Sequence, residues 1–163
     1  MSSLEIIGSF DSKESISCAS DVLITSVGTQ VFCRDKDHSA VRFVEDEEWI
    51  RRLSYKWDLG IVREITYKLL AEYGDESIHF RPPREQNEHK VTLGVCSSIV
   101  HEVEDRIRKG INNVENVDKN ETRQISAKVI VSGEGNWRFL DIIPQRAGEK
   151  NNSLTCSVTI VNM

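Results

Sequence analysis

The sequence predicts an α+β fold whose main part is a four-stranded antiparallel sheet carrying two helices on one face. Three observations predict it. Residues 58–143 run helix, strand, strand, helix, strand, strand, which is one structural unit written twice. The helical stretches repeat apolar residues every four positions, and the strand stretches alternate apolar with polar residues, as half-buried strands do. An antiparallel sheet with both helices on the same face is the simplest packing of such a repeat.

In chain order, residues 1–20 specify little: LEIIGSF fits a strand, and SKESISCAS holds too many serines for a helix. Asp21 to Val27 is a buried-strand run. Gly28-Thr29 turns it into a second strand, Gln30 to Arg34, giving a tight hairpin. Residues 35–44 read as a polar loop. Glu45 to Tyr55 reads as a helix with acidic residues in its first turn, where they suit the helix dipole, and arginines further along. Trp49, Leu53 and Trp57 fall on one face. Asp58 caps the next helix, in which Ile61, Ile65, Leu69 and Tyr73 recur every four residues until Gly74 ends it.

A β-hairpin follows. Ser77 to Arg81 is its first arm; Pro82 and Pro83 remove two backbone donors in succession, so Arg84 to Asn87 is expected as an exposed loop. In the return arm, His89 to Val95, the residues Val91, Leu93 and Val95 point one way and Lys90, Thr92 and Gly94 the other. A third helix starts at Ser97 or Ser98, buries Ile99, Val103, Ile107 and Ile111, and is expected to be disturbed at Gly110. A polar loop over 112–122 leads to a strand over Gln124 to Val131, a glycine-containing turn over Ser132 to Asn136, and a strand over Trp137 to Ile143. Beyond Pro144 a basic loop, QRAGEK, precedes a last strand within Leu154 to Val161.

A chain of 163 residues has room for one domain or somewhat more, and at that size it buries roughly 68–70% of its unfolded surface. Hydrophobic residues at 39% and charged ones at 29% are ordinary for a globular protein and exclude a disordered or collagen-like chain. The net charge of −5, with basic residues scattered, argues against nucleic acid as a partner. No run approaches the ~20 apolar residues of a membrane span, and Met1–Gly8 lacks the pattern of a secretory signal. Cys18, Cys33, Cys96 and Cys156 are far apart with no CxxC pair, which favours thiols in a reducing, cytoplasmic setting. In that setting the glycosylation sequons at Asn120 and Asn151 mean little.

Several patterns touch on chemistry. HEVED at 101–105 resembles a two-ligand zinc spacing but has Asp105 in place of the second histidine, so a solvated helix face is the better reading. His79 and His89 are read as cross-strand neighbours of the hairpin rather than metal ligands. Asp35-Lys36-Asp37-His38-Ser39 has the alternating aspartates of an aspartyl phosphatase start; that chemistry also needs further acids for Mg²⁺, and a polar turn is the better reading. The loop Gln145 to Lys150 suits an anion. The sheet face bearing Lys90, Thr92 and Gly94, together with Asp141, makes a poor packing surface and a usable floor for hydroxyls. A plain solvated face fits the same residues.

Four stretches, ITSVGTQVF at 24–32, LSYKWDLGIV at 53–62, PPREQNEHKVTLGV at 82–95 and LDIIPQRAGEK at 140–150, resemble in order and spacing the plant and cyanobacterial sucrose-phosphate phosphatases of the haloacid dehalogenase superfamily. The likeness covers about residues 21–154. It implies that 58–143 is a cap module, with 1–57 and 144–163 as segments of a haloacid-dehalogenase-like core contributing remnant strands. It also implies a sugar or sugar phosphate as ligand, a place in sucrose biosynthesis, sugar contacts from Glu85, Gln86, Lys90, Asp141 and Gln145, and a catalytic, phosphate-binding role for Lys150. Glu149 stands between glycine and lysine where the family has them adjacent. The intact family uses Mg²⁺; the family's alternating aspartates and acidic metal motif find no counterpart here, and DKDHS lies at the wrong place for the nucleophile. The chain is therefore expected to be a truncated relative that binds no metal and has little phosphatase activity alone. The rival expectations are a non-catalytic sugar or sugar-phosphate binding module and a protein that self-associates through the edge strand 154–161.

Overall fold

The computed structural model describes residues 22–35, 42–112, 125–148 and 158–160, the last of these as backbone only. The chain divides into two compact units, one comprising Met1–Arg52 with Ala147–Met163 and the other Leu53–Arg146. The first is called unit 1 below and the second unit 2.

In unit 1, strands β1 (Val22–Thr25) and β2 (Gln30–Arg34) pair antiparallel from Val22↔Cys33 to Thr25↔Gln30, as the hairpin expectation requires. The turn differs from a bare Gly28-Thr29 pair. A 3₁₀ turn spans Ser26–Gly28, and Ser26 and Val27 sit at φ 52° and 60°, the left-handed region that a β-branched residue rarely enters. Thr29 holds this turn, donating both its backbone N–H (3.1 Å) and its hydroxyl (2.8 Å) to the Ser26 carbonyl.

The supposed polar loop over 35–44 ends in a third strand, β3 (Phe43–Glu45), paired with β2 from Phe32↔Glu45 to Arg34↔Phe43. Helix α1 (Glu47–Ser54) follows. Asp46 caps it, its carboxylate accepting from the backbone N–H of Glu48 at 2.9 Å and of Trp49 at 3.0 Å. Leu23, Phe32 and Phe43 form a small core, and buried Trp49 donates its indole N–H to the Gly28 carbonyl at 3.2 Å.

Unit 2 begins with α2 (Leu59–Tyr73). Asp58 caps it by accepting from Ile61 N–H at 3.1 Å, and Gly74 closes it by donating to Leu70 O at 2.9 Å, both as read from the sequence. Next come β4 (Ile78–Phe80), β5 (Val91–Cys96), α3 (Val100–Asn112), β6 (Ala127–Ser132) and β7 (Trp137–Pro144). The strands form one antiparallel sheet in the order β4-β5-β7-β6. Ile78, Val91, Leu93, Val95, Leu140, Ile142 and Val129 share its inner face. There they pack with Val62 and Leu69 of α2 and Val100, Val103, Ile107 and Ile111 of α3. Each such side chain contributes roughly 1.5–3 kcal/mol by leaving water. The predicted α+β arrangement, with both helices on one face, is what forms.

Two local corrections concern α3. The helix starts at Val100 rather than Ser97 or Ser98, with Ile99 packed against the core just before it, and it runs through Gly110 without interruption. A Cβ at Gly110 would stand 3.1 Å from Ile65 Cγ2, so the glycine lets α3 lie close against α2. Arg106 also ties the two helices, pairing with both oxygens of Glu72 at 2.6 and 2.7 Å.

The last described strand, β8 (Val158–Ile160), belongs to unit 1 and pairs parallel with β1, giving the order β3-β2-β1-β8. It lies within the stretch read as a final strand.

Candidate functional site

The helices cover only the inner face of the unit 2 sheet, and pleating sends the alternate residues to the other. Strand register arranges these in rows across the sheet. One row runs Arg81, Thr92, Asp141, Ile130 and the next His79, Gly94, Phe139, Ser132. Lys90 precedes Thr92 by two positions, on the same side.

Gly94 is not the bare floor that alternation suggested. The His79 ring lies over it, so a Cβ there would meet Nε2 at 2.6 Å, and the same ring contacts Trp137 with centroids 4.8 Å apart. The polar end of the face is the row through Thr92.

The connection from β4 to β5 folds back onto that row. Pro82 and Pro83 stop the first arm as expected, but the segment then enters a 3₁₀ turn, Pro83–Glu85, and Glu85, Gln86 and Asn87 are half-buried rather than exposed, while Arg84 is exposed like the two prolines before it. Arg81 grips Glu85 through Nε to Oε2 at 2.8 Å and Nη2 to Oε1 at 2.9 Å, and its guanidinium lies 4.8 Å above the Phe139 ring. Those bonds hold the Glu85 carboxyl below its ordinary range. Gln86 turns its amide onto the backbone: Nε2 donates to Arg81 O at 3.0 Å and Thr92 O at 2.8 Å, and Oε1 accepts from Thr92 N–H at 2.8 Å.

Beyond Gln86, a bridge between Asn87 and Lys90 closes the loop. Buried His89 meets Ser54 Oγ at 2.9 Å, and burial pushes its imidazole pKa down.

At the centre, the Thr92 hydroxyl has a single proton and two oxygens in range, Asp141 Oδ1 at 2.6 Å and Glu85 O at 3.1 Å. The shorter contact to a carboxylate is the charge-assisted one and takes the proton. Lys90 is 7% exposed and Asp141 9%. Among the described residues the Lys90 ammonium has no hydrogen-bond or ion-pair partner, though its charge helps to lower the Glu85 pKa, and neither it nor Asp141 Oδ2 is a sealed, unsatisfied atom, so each keeps some contact with solvent. Arg81 and Glu85 neutralise each other. What Lys90 and Asp141, diagonal neighbours across β5 and β7, offer a ligand is thus an ammonium that donates and a carboxylate oxygen that accepts.

Of the residues singled out from the sequence, the structure gathers Glu85, Gln86, Lys90 and Asp141 around Thr92. Gln145 stands apart, exposed after β7, its backbone N–H donating to Ser126 O at 2.9 Å. Lys150 lies outside the described residues, as do Cys18, Cys156, Asn120, Asn151 and all of DKDHS except Asp35. His79 and His89 do not face each other, since one covers Gly94 and the other bonds Ser54. His101 is exposed on α3, its ring 3.8 Å from Glu104. Sequence reasoning passed over Arg81 because a strand reading hides its four-residue spacing to Glu85, which the intervening 3₁₀ turn makes meaningful. Among the described residues no three His, Cys, Asp or Glu side chains come together in a way that fits a metal ion. Among them also no helix is long and apolar enough to cross a membrane.

Residues 13–156 match the family described as sucrose-6F-phosphate phosphohydrolase. The chain belongs to that family. Its similarity to individual members agrees: it is 30% identical over 129 residues to probable sucrose-phosphatase 2 of Arabidopsis thaliana, covering 79% of this chain and 25% of that protein. It is 29% identical over 137 residues to sucrose-phosphatase 2 of Nicotiana tabacum, covering 84% and 27%. The chain thus spans about a quarter of the length of these curated relatives. Among solved structures, it resembles the sucrose-phosphatase of Synechocystis sp. PCC6803 in complex with sucrose and phosphate, with a TM-score of 0.50 and 20% identity over 78% of this chain and 41% of that one. At that identity the likeness concerns the fold. Membership in the sucrose-phosphate phosphohydrolase family accounts for the four sequence stretches that resembled it.

Proposed function

We propose that unit 2 is the sugar-recognising, cap-like part of a sucrose-phosphatase-type protein and that Lys90 and Asp141 hold hydroxyl groups of the sugar. The observation that carries this reading is the pair of largely buried charged side chains, Lys90 and Asp141, whose polar tips are not sealed, on the sheet face that the helices leave uncovered. A sugar hydroxyl both donates and accepts, so an ammonium next to a carboxylate oxygen matches two hydroxyls of one ring. Family membership and the sucrose in the Synechocystis relative support a sugar phosphate as the ligand class.

In this reading Glu85 acts through its salt bridge, shaping the rim with Arg81, Gln145 follows β7, and Lys150 is suited by charge to a phosphate. Phosphate release from sucrose 6-phosphate, with the Mg²⁺ its family uses, is the activity proposed for the protein in which this unit works. No described residue is assigned to the phosphoryl step.

Calorimetry with sucrose and with sucrose 6-phosphate tests the reading. A hydrogen bond to a charged group is worth about 1.5–3 kcal/mol, so Lys90→Ala and Asp141→Asn should each weaken sucrose binding by about 10-fold or more with melting curves unchanged. Unaltered affinity in both variants, or no binding by the parent chain at millimolar sugar, would sink it.

A further inference from the structure

We infer that Thr92 and Gln86 are positioning residues: Gln86 fixes the Thr92 backbone, and the Thr92 hydroxyl then orients the Asp141 carboxylate so that Oδ2 alone is presented to the ligand. This rests on the sugar-binding reading of Asp141 and assigns Gln86 a different part from direct contact with the sugar.

The argument begins where the ladder fails. β4 ends at Phe80, and at the next position the ladder is only half made: the Arg81 N–H donates to the Thr92 carbonyl at 3.0 Å, but the Arg81 carbonyl does not take the Thr92 N–H, which needs another acceptor. Gln86 supplies it. Its Oε1 accepts the Thr92 N–H and its Nε2 donates to the Thr92 carbonyl, each at 2.8 Å, which imitates the two bonds exchanged by a hydrogen-bonded pair of antiparallel residues. Its second N–H goes to Arg81 O at 3.0 Å. A glutamine amide has two N–H donors, and both are spent. Gln86 therefore has no donor left for a sugar, and its amide is committed to the backbone of Arg81 and Thr92.

Thr92 is 4% exposed and equally unable to reach a ligand through a free proton. Its proton lies on Asp141 Oδ1 at 2.6 Å, across the pair Thr92↔Asp141 of β5 and β7. That bond fixes the carboxylate about its own side-chain torsions. Oδ1 is occupied, and Oδ2 is left as the acceptor beside Lys90.

A double-mutant cycle on the full chain, read by calorimetry with sucrose, tests this. Thr92→Val keeps the shape and the strand preference of threonine but removes the hydroxyl. Affinity should fall about 10-fold in Thr92→Val and stay within about twofold of the parent in Thr92→Ser, which restores the hydroxyl. In an Asp141→Asn background, Thr92→Val should add less than about twofold, because the group it orients is already altered. Full additivity of the two substitutions would overturn the inference, as would parental affinity in Thr92→Val. If Thr92→Val does not fold, Gln86→Met enters the same cycle with the same expectations. Weakened binding in Asp141→Asn with none in the positioning variants removes the positioning role and leaves the sugar reading standing. No effect in Asp141→Asn removes both.

Discussion

Replacing Gly94 by alanine should destabilise unit 2 by about 1–2 kcal/mol, and removing the His79 ring should reverse the sign of that effect. The Cβ introduced at Gly94 would lie 2.6, 2.8 and 3.3 Å from Nε2, Cε1 and Cδ2 of His79, so the ring face as a whole has to lift. Lifting it costs the contact with Trp137, worth about 0.5–1.5 kcal/mol for an aromatic pair, together with overpacking strain of about 1–3 kcal/mol. Against this, alanine in a strand gains about 0.5–1 kcal/mol over glycine through the unfolded chain. The balance is a net loss at the lower end of the overpacking range. In a His79→Ala background the collision is absent and only the gain of about 0.5–1 kcal/mol remains. Urea unfolding of the four proteins of this cycle, followed by tryptophan fluorescence, measures the coupling. In a heating experiment 1 kcal/mol corresponds to about 2–4 °C for a chain of this size. Equal losses in both backgrounds would show that something other than His79 limits the space at Gly94, and a neutral Gly94→Ala in the parent would show that the ring is not held.

In unit 1, Gly28→Ala should cost at least ~2 kcal/mol, since φ is +81° and a Cβ would stand 2.7 Å from the Gly148 backbone nitrogen, which no rotamer change can relieve; a lowered unfolding midpoint measures it. Asp58→Ala should cost about 1 kcal/mol through loss of the α2 cap, seen in the same assay, while Asp58→Asn should restore most of it. His89 gives a pH dependence. Burial lowers its pKa in the folded state below the ordinary 6.5, so the unfolded chain takes up this proton first as pH falls. Its contribution is complete above about pH 6.5 and is lost as pH falls from there towards the lowered folded value. Urea midpoints at pH 7.5 and 5.5 should therefore differ less in His89→Gln than in the parent, and an unchanged difference would refute the assignment.

What was legible in the sequence was what depends on near neighbours along the chain. Asp58 and Gly74 mark the ends of α2 because capping is decided within a turn, and the alternation from Lys90 to Val95 fixes which side of β5 meets the core. Where tertiary contact decides, the reading failed. β3 holds three residues, of which Phe43 alone is buried, too few to show a period; pairing with β2 makes it a strand. Val27 occupies a left-handed conformation against its own preference because Thr29 and Trp49 hold the turn on either side. Gly110 has poor helix propensity, and the space it leaves for Ile65 outweighs that.

The candidate site divides along the same line. Lys90, Thr92 and Asp141 could be placed on one face by counting in twos, whereas the part played by each polar group depends on which of its atoms are already engaged. Arg81 and Glu85 neutralise each other, and Gln86 has given both of its donors to the backbone. Lys90 and Asp141 remain, and Lys128, opposite Ile143 of β7, adds a second cation to the same face, so the charges of the face do not cancel. The Lys90 ammonium and the Asp141 carboxylate can each hold a sugar hydroxyl, the one donating and the other accepting. On the proposed reading, then, the unit 2 face recognises the sugar through Lys90 and Asp141, and no described residue of that face is assigned to the phosphate.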